Sequence, residues 1–455
     1  MKIENIIKNN QGGTALFLGR VTNFTPEELT NFLEAQGLNY ADKYIGQDVA
    51  LLVLSSMLTP LEEDLSYQLY DMGVPDVTLN QFETFYTKYI KPNTLLMSLK
   101  LSNDQERLKR LLLNEAFTDE VFLKLFKMYD WRGDGLHESD DNRDVTIAFV
   151  KRFYRPDGFR DPAMIYAPTT IMNIAQESQD SDVLDAILTM PNHQVKVSRY
   201  DTHRPKNLRE TIAFNEAVSQ ESIKRILSYR DDDIDYFLAS NLALREPQQI
   251  EIYSRGVEKV KIMLAYNSNL SNKLFFKLLD GSDVIVKTLL SYQPMNSIRL
   301  EQIIDNPHIA YLGDNESVSD IVEPLLELKN RELDFQLASN MALSKEMLSR
   351  LYKRYGLDIA KKLADNINIW DELSYEFYSS QDRELIKILA KNPSTPKKIL
   401  DELCEKKDRE LNRFLASNPS VDIRYLREFQ LDTSLIRILA DNKTYGDSVL
   451  QGLGL

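Results

Sequence analysis

Four cations recur at one spacing: Lys361, Lys387, Arg413 and Arg437, each five residues before the asparagine of a repeated Leu-Ala-x-Asn string. If the segments that carry them stack, the charges align as a basic stripe. Such a stripe could contact an extended acidic segment, one charge per unit. Asp358, Glu384 and Glu410 stand three residues before the first three cations, within reach of ion pairs on the same helix. Local pairing therefore competes with partner binding. Arg20, beside Gly19, is a fifth binding candidate. Catalytic material is sparse. A single cysteine, Cys404, excludes an intrachain disulfide and any zinc or iron–sulfur site built on several thiolates. Four histidines (His137, His193, His203 and His308) leave little for metal or proton chemistry.

Other constellations have a plain reading beside the chemical one. Asp130-Trp-Arg-Gly-Asp134 with Asp141 outlines half a calcium loop. Arg132 stands where an oxygen ligand is needed, and the twelfth position is Asp rather than Glu, so an exposed acidic loop is expected. Lys151–Arg155 and Lys196–Arg209 interleave basic and aromatic residues, as nucleic-acid surfaces do. Asp157, Asp161, Asp201 and Glu210 break both clusters, which favours a solvated face. No nucleophile–base pair, glycine-rich phosphate loop or ligand cluster stands out. The sequence thus reads as non-enzymatic, with no catalytic residue, cofactor or metal.

The 455 residues are 43% hydrophobic and 27% charged, with 16 Gly and 16 Pro, which suits a folded, loop-poor protein. The net charge of −14 has the wrong sign for a phosphate-backbone binder and disfavours nucleic acid as partner. No apolar run is long enough to span a membrane, and the polar start, Met1 to Gly13, lacks a signal-peptide core. A cytoplasmic protein with a protein partner is expected.

The first ninety residues alternate strand and helix signals. Ala15–Gly19 reads as a strand ending in glycine, and Thr25-Pro-Glu-Glu28 opens a helix over Glu27–Gln36 that stops at Gly37. Leu38–Tyr40 is a short strand, and the apolar run Val49–Leu54 suits a central strand covered on both faces. Thr59-Pro-Leu-Glu62 opens a second helix ending near Gly73. Asp76–Leu79 is a strand, and Asn80 opens a last helix with Phe82, Phe85 and Tyr86. The order βαββαβα implies a small, mainly parallel sheet.

Leu16-Phe-Leu-Gly19, Gly37, Val49–Leu54, Gly73 and Thr78-Leu-Asn-Gln-Phe82 together resemble a BRCT domain, a module of DNA-repair and cell-cycle proteins that often reads phosphopeptides. The resemblance implies a phosphate pocket with Ser or Thr before the first-strand glycine and a Lys in the second helix. Here Leu18 precedes the glycine, and Glu62–Met72 contains no Lys or Arg but four acids. A phosphate there would lose a hydroxyl donor and a cation and meet like charge. A docking or structural module is expected instead.

Beyond it the chain repeats. Leu-Ala-x-Asn ends at Asn241, Asn267, Asn340, Asn366, Asn392, Asn418 and Asn442, with looser copies ending at Asn215, Gln293 and Asn315. The spacings are 26, 26, 26, 22, 25, 26, 26, 26 and 24. Weaker copies near Asn114 and Pro191 extend the array toward residue 95. Apolar positions three, four and seven before each Asn form one helical face, as in Leu385, Ile388 and Leu389. The Asn is placed to end that helix in the left-handed cap conformation. Thr395, Ser420 and Ser344 are placed to cap the next helix. One helix pair cannot bury its apolar face alone, so stacked pairs are expected: a mostly α chain, an α-solenoid of ten or more two-helix units behind a small α/β domain. The domains expected are 1–90, a divergent helical stretch 91–210, and the regular array 211–455.

The repeat resembles the leucine-rich repeat variant family, and more loosely HEAT-type arrays. Some members of that family carry an iron–sulfur centre on a cysteine cluster, which Cys404 alone cannot supply. The resemblance implies a scaffold that presents an extended protein-binding surface. The alternative is a DNA-associated factor working through the BRCT-like domain and the basic stripe. A third reading, a HEAT-like DNA glycosylase, rests only on Trp370-Asp371.

Overall fold

The computed structural model describes residues 3–133, 135–154, 169–195 and 203–452. The chain divides into two compact units, Met1–Leu238 and Ala239–Leu455. It is mostly helical, with one small sheet near the N-terminus. Among the described residues no helix is long and apolar enough to cross a membrane.

In the first unit β1 (Thr14–Leu18), β2 (Asn39–Ala41), β3 (Val49–Leu54) and β4 (Asp76–Thr78) form a parallel sheet in the order β2-β1-β3-β4. Every residue of β1 is buried, as is β3 up to Val53, because helices cover both faces. Those helices are α1 (Ile3–Asn9), α2 (Pro26–Ala35), α3 (Pro60–Asp71) and α4 (Leu79–Thr87). The helix α1 departs from the expectation of a merely polar start: Ile3, Ile6 and Ile7 share one face and are buried. Both predicted Thr-Pro starts are capping boxes, Thr25 with Glu28 and Thr59 with Glu62. A third box, Thr78 with Gln81, opens α4 one residue before Asn80, which therefore does not open the helix. Phe17, Phe32, Phe82 and Tyr86 meet in the core, with Phe17 edge-on to Phe82 at 4.9 Å between centroids. Gly19 has φ of 84°, and a Cβ there would lie 2.5 Å from the Met57 carbonyl oxygen.

Helices α5 (Pro92–Ser102) and α6 (Gln105–Leu112) follow the module directly. Arg107 of α6 is 5% exposed and spends its guanidinium on the Asn23 carbonyl (3.0 Å), the Ser98 hydroxyl (3.2 Å) and the Glu28 carboxylate (2.5 Å). A buried charge with this many partners fixes the orientation of α6 on the sheet module, and removing it would strand Glu28.

The second unit shows why the asparagines recur. Each projects from the end of one helix to the matching turn of the preceding repeat. Asn392 Nδ2 donates to the carbonyls of Ala364 (2.7 Å) and Asn366 (2.9 Å), while its Oδ1 accepts from the Ser394 N–H (2.8 Å). Asn418 does the same to Ala390 and Asn392, and Asn366 to Ala338 and Asn340. The loose copies obey the rule: Gln293 donates to Ala265 and Asn267, and Asn315 to Leu290 and Gln293. The ladder therefore runs unbroken from Asn267 to Asn442, which donates to Ala416 and Asn418. All its amides from Asn267 on are under 9% exposed and both donors of each are used.

Three local expectations are corrected. The ladder asparagines are extended, not left-handed; Asn392 has φ −74° and ψ 122°, which swings its amide toward the previous unit. The left-handed positions lie at the other turn of the unit, at Lys329, Gln381 and Lys407, each followed by an N-capping Asn330, Asp382 or Asp408. Thr395 does not cap: its hydroxyl donates back to the Leu389 carbonyl at 2.6 Å. Ser420 likewise donates to Pro393, and Asp422 caps instead; Ser344 does cap, accepting from Met347 N–H. Helix Ala360–Asp365 packs on Arg383–Lys391, that on Arg409–Ser417, and that on Ile436–Ala440. No strand occurs in 212–439.

Candidate functional site

The ladder fixes the register between successive helices, and the register decides which surface charges meet. Position eight before the ladder Asn carries Asp358, Glu384 and Glu410. Position nine carries Arg331, Arg383 and Arg409. Arg331 reaches Asp358 of the next repeat at 3.1 Å, and Arg383 reaches Glu410 at 2.6 Å. Lys387 joins this network, lying 2.9 Å from Glu384 on its own helix and 2.6 Å from Glu410 of the next. The hydrogen bonds it donates to Glu410 and then Glu384 hold its ammonium above the ordinary lysine range, and Lys387 in turn lowers Glu410. Its side chain is 19% exposed. Of the four stripe cations, Lys387 is thus the one already paired.

The last repeat breaks the pattern. The residue eight before Asn442 is Ser434, a hydroxyl where Asp358, Glu384 and Glu410 put a carboxylate. Arg413 is exposed and, among the described residues, makes no ion pair. Lys361 and Arg437 are also exposed without one. Arg409, which the sequence reading missed, has the same standing; the signal was its position nine before Asn418, shared with Arg331 and Arg383. Among the described residues, Arg409, Arg413 and Arg437 thus stand outside any ion pair on two helices that pack together. Asp432, lowered first by the Ser434 hydroxyl, is near enough to Arg409 for it to add to that lowering.

Arg20 is exposed, and its own carbonyl accepts from the Ser55 hydroxyl at 3.0 Å. The neighbouring backbone donor is consumed internally. Gly19 N–H donates to Glu62 Oε1 at 3.1 Å. Glu62 Oε2 accepts from the Thr59 N–H at 2.7 Å and the Thr59 hydroxyl at 2.7 Å. These bonds, the Thr59 N–H foremost, hold the Glu62 carboxyl below the usual range. A carboxylate of the chain itself takes the backbone donor beside Arg20.

The remaining candidates resolve individually. Arg152 donates to the Phe117 carbonyl (2.6 Å) and Asp119 (3.1 Å) and lies over the Phe122 ring, while Arg209 lies over the Tyr229 ring. Arg155 and the stretch 196–202 lie outside the described residues. Of the acidic loop, Asp134 lies outside them too; Asp141 pairs with Lys109, and the buried Asn142 amide donates to the Arg132 (2.7 Å) and Gly135 (3.1 Å) carbonyls. Glu138 and Thr146 also hold the loop, through the Gly135 N–H and the Leu136 carbonyl. Cys404 is buried, and burial pushes its thiol up to about 12. Trp370 caps helix Asp371–Ser379 with Lys345 Nζ 5.8 Å from its ring, and Asp371 is exposed in the first turn. The chain matches no family model, no curated protein and no solved structure.

Proposed function

We propose that this protein is a non-enzymatic interaction scaffold: an α-solenoid whose terminal repeats bind an acidic segment of a protein partner. The observation that carries this reading is the loss of the inter-repeat carboxylate at Ser434, beside Arg409, Arg413 and Arg437, which are exposed and, among the described residues, outside any ion pair in a chain of net charge −14. Elsewhere on this face Arg331, Arg383 and Lys387 are paired, and Lys361 alone of the earlier stripe is not. Stacked helices stand about 8–10 Å apart, which suits an extended acidic chain better than a compact anion. Each exposed contact is weak, so affinity comes from the cluster together and falls with salt. The BRCT-like module is read as a docking element without phosphate recognition; the Gly19 N–H spent on Glu62 and the exposed Arg20 as the lone nearby cation candidate support this reading. A DNA-associated role has the same terminal cluster in its favour; the acidic balance and the paired Lys387 and Arg152 weigh against it.

The test is affinity capture from cell extract with the wild-type chain and an Arg409→Glu/Arg413→Glu/Arg437→Glu variant, beside a gel shift on DNA and RNA. The scaffold reading expects an acidic-segment protein lost from the variant and no salt-resistant shift. A shift abolished by the same reversal would replace it with the nucleic-acid reading.

A further inference from the structure

Helix α3 of the sheet module has two unlike faces. Ser66 and Leu69 are buried, and Leu69 and Leu65 pack with Leu16, Leu18, Val49 and Leu52. Away from the sheet, Leu61 is 82% exposed, Tyr67 61%, Tyr70 63% and, at the C-cap, Met72 71%. At the helical period Glu63, Tyr67 and Tyr70 form one line, Asp64 and Asp71 the next, and Leu61 and Met72 a third. Contiguous apolar surface of this kind marks an interaction site. Glu63, Asp64 and Asp71 are exposed and, among the described residues, make no ion pair. No Lys or Arg occurs between Lys43 and Lys88, a stretch with seven acids, so no neighbour in sequence neutralises the face.

The terminal repeats carry the complementary character. Arg409, Arg413 and Arg437 are exposed. So are Leu431, in the turn before helix Ile436–Ala440, and Ile436, next to Arg437. Asp432 is the acid among them, and it accepts from the Ser434 N–H (3.0 Å) and hydroxyl (2.7 Å). The spacings also agree. At about 1.5 Å per residue, Asp64 and Asp71 lie roughly 10 Å apart along α3. Arg413 and Arg437 sit on packed helices, which stand about 8–10 Å apart. One α3 face can therefore meet both cations at once.

We infer that the acidic segment bound by the terminal cations is the α3 face of a second copy of this chain. This rests on the reading of those cations as a surface for an acidic segment, and names the segment. Asp64 and Asp71 of one copy pair with Arg413 and Arg437 of the other, Tyr67 and Tyr70 offer ring faces to the guanidinium groups, and Leu61 and Met72 meet Leu431 and Ile436. The two faces differ, so the contact is head-to-tail: each added copy leaves one α3 face and one cationic end free, and assembly grows with concentration.

The experiment is sedimentation velocity of the full chain over a range of concentrations at low and high salt. The inference expects the mass to rise past the dimer with concentration at low salt and to fall back at high salt. Asp64→Asn/Tyr67→Ser/Asp71→Asn, at exposed positions, removes one face, and Arg409→Glu/Arg413→Glu/Arg437→Glu removes the other. Each variant alone should be monomeric with its helicity intact. Mixed, the two should pair one to one and stop there, because only one matched interface remains. A wild-type chain that stays monomeric into the hundreds of micromolar at low salt, association that survives either variant, or a mixture that stays monomeric would overturn the inference. The α3 variant keeps the terminal cations, so its binding of a synthetic Glu-rich peptide in that event would leave the proposed surface standing and remove only the second copy as its partner.

Discussion

The asparagine ladder makes a quantitative claim. Replacing Asn392 by Ala removes two donors that reach the Ala364 and Asn366 carbonyls and the acceptor for Ser394 N–H. Asn392 is 4% exposed, Asn366 1% and Ala364 fully buried, so water cannot readily take over. The Asn366 carbonyl keeps the Ile369 N–H at 3.2 Å, so two groups lose their partner at about 1–3 kcal/mol each, and with part recovered by relaxation the loss should be about 2–4 kcal/mol. Asn392→Asp should be worse than Ala, because a carboxylate oxygen would face two carbonyl oxygens. Asn392→Gln should be milder, since Gln293 already performs the same task. A repeat array need not unfold in one step, so urea denaturation followed at 222 nm should be paired with hydrogen exchange on 364–394. Protection should drop at those turns first. An Ala variant within about 1 kcal/mol of the exposed control Lys391→Ala would refute the ladder as the element that couples repeats.

Three further outcomes follow from the same geometry. Lys387→Glu should lower the melting temperature, because three carboxylates would then converge, and added salt should recover part of the loss; Arg413→Glu should leave melting unchanged. With its thiol pushed up to about 12, Cys404 should resist iodoacetamide at pH 8 and react promptly in urea; equal rates in both would contradict its burial. Glu62 is lowered in the fold, so its contribution is present above the ordinary glutamate pKa and lost as pH falls through the lowered value; Glu62→Gln should flatten that acid limb of stability in the sheet module.

Much of the architecture was legible because it depends on local chemistry. Thr25 and Thr59 marked two helices through caps, and the run at Val49 marked a doubly covered strand. The recurrence of Asn announced the repeat, but its role was not readable: a left-handed cap and an inter-repeat staple use the same residue, and only the partner turn, 26 residues away, distinguishes them. Thr395 and Ser420 failed as caps for a related reason, since a nearer carbonyl takes the hydroxyl. The stripe was visible as spacing, whereas its interruption at Lys387 and its release at Ser434 depend on which positions of neighbouring units meet.

The central claim is that the terminal cations form a working surface. Its most direct test is the anisotropy of a fluorescent Glu-rich peptide, long enough to span Arg409 to Arg437, titrated with the full chain at low and at physiological salt. The account predicts saturable binding that weakens with salt and falls at least about tenfold in the Arg409→Glu/Arg413→Glu/Arg437→Glu variant, with helicity and melting preserved. Binding unaffected by the triple reversal would contradict it.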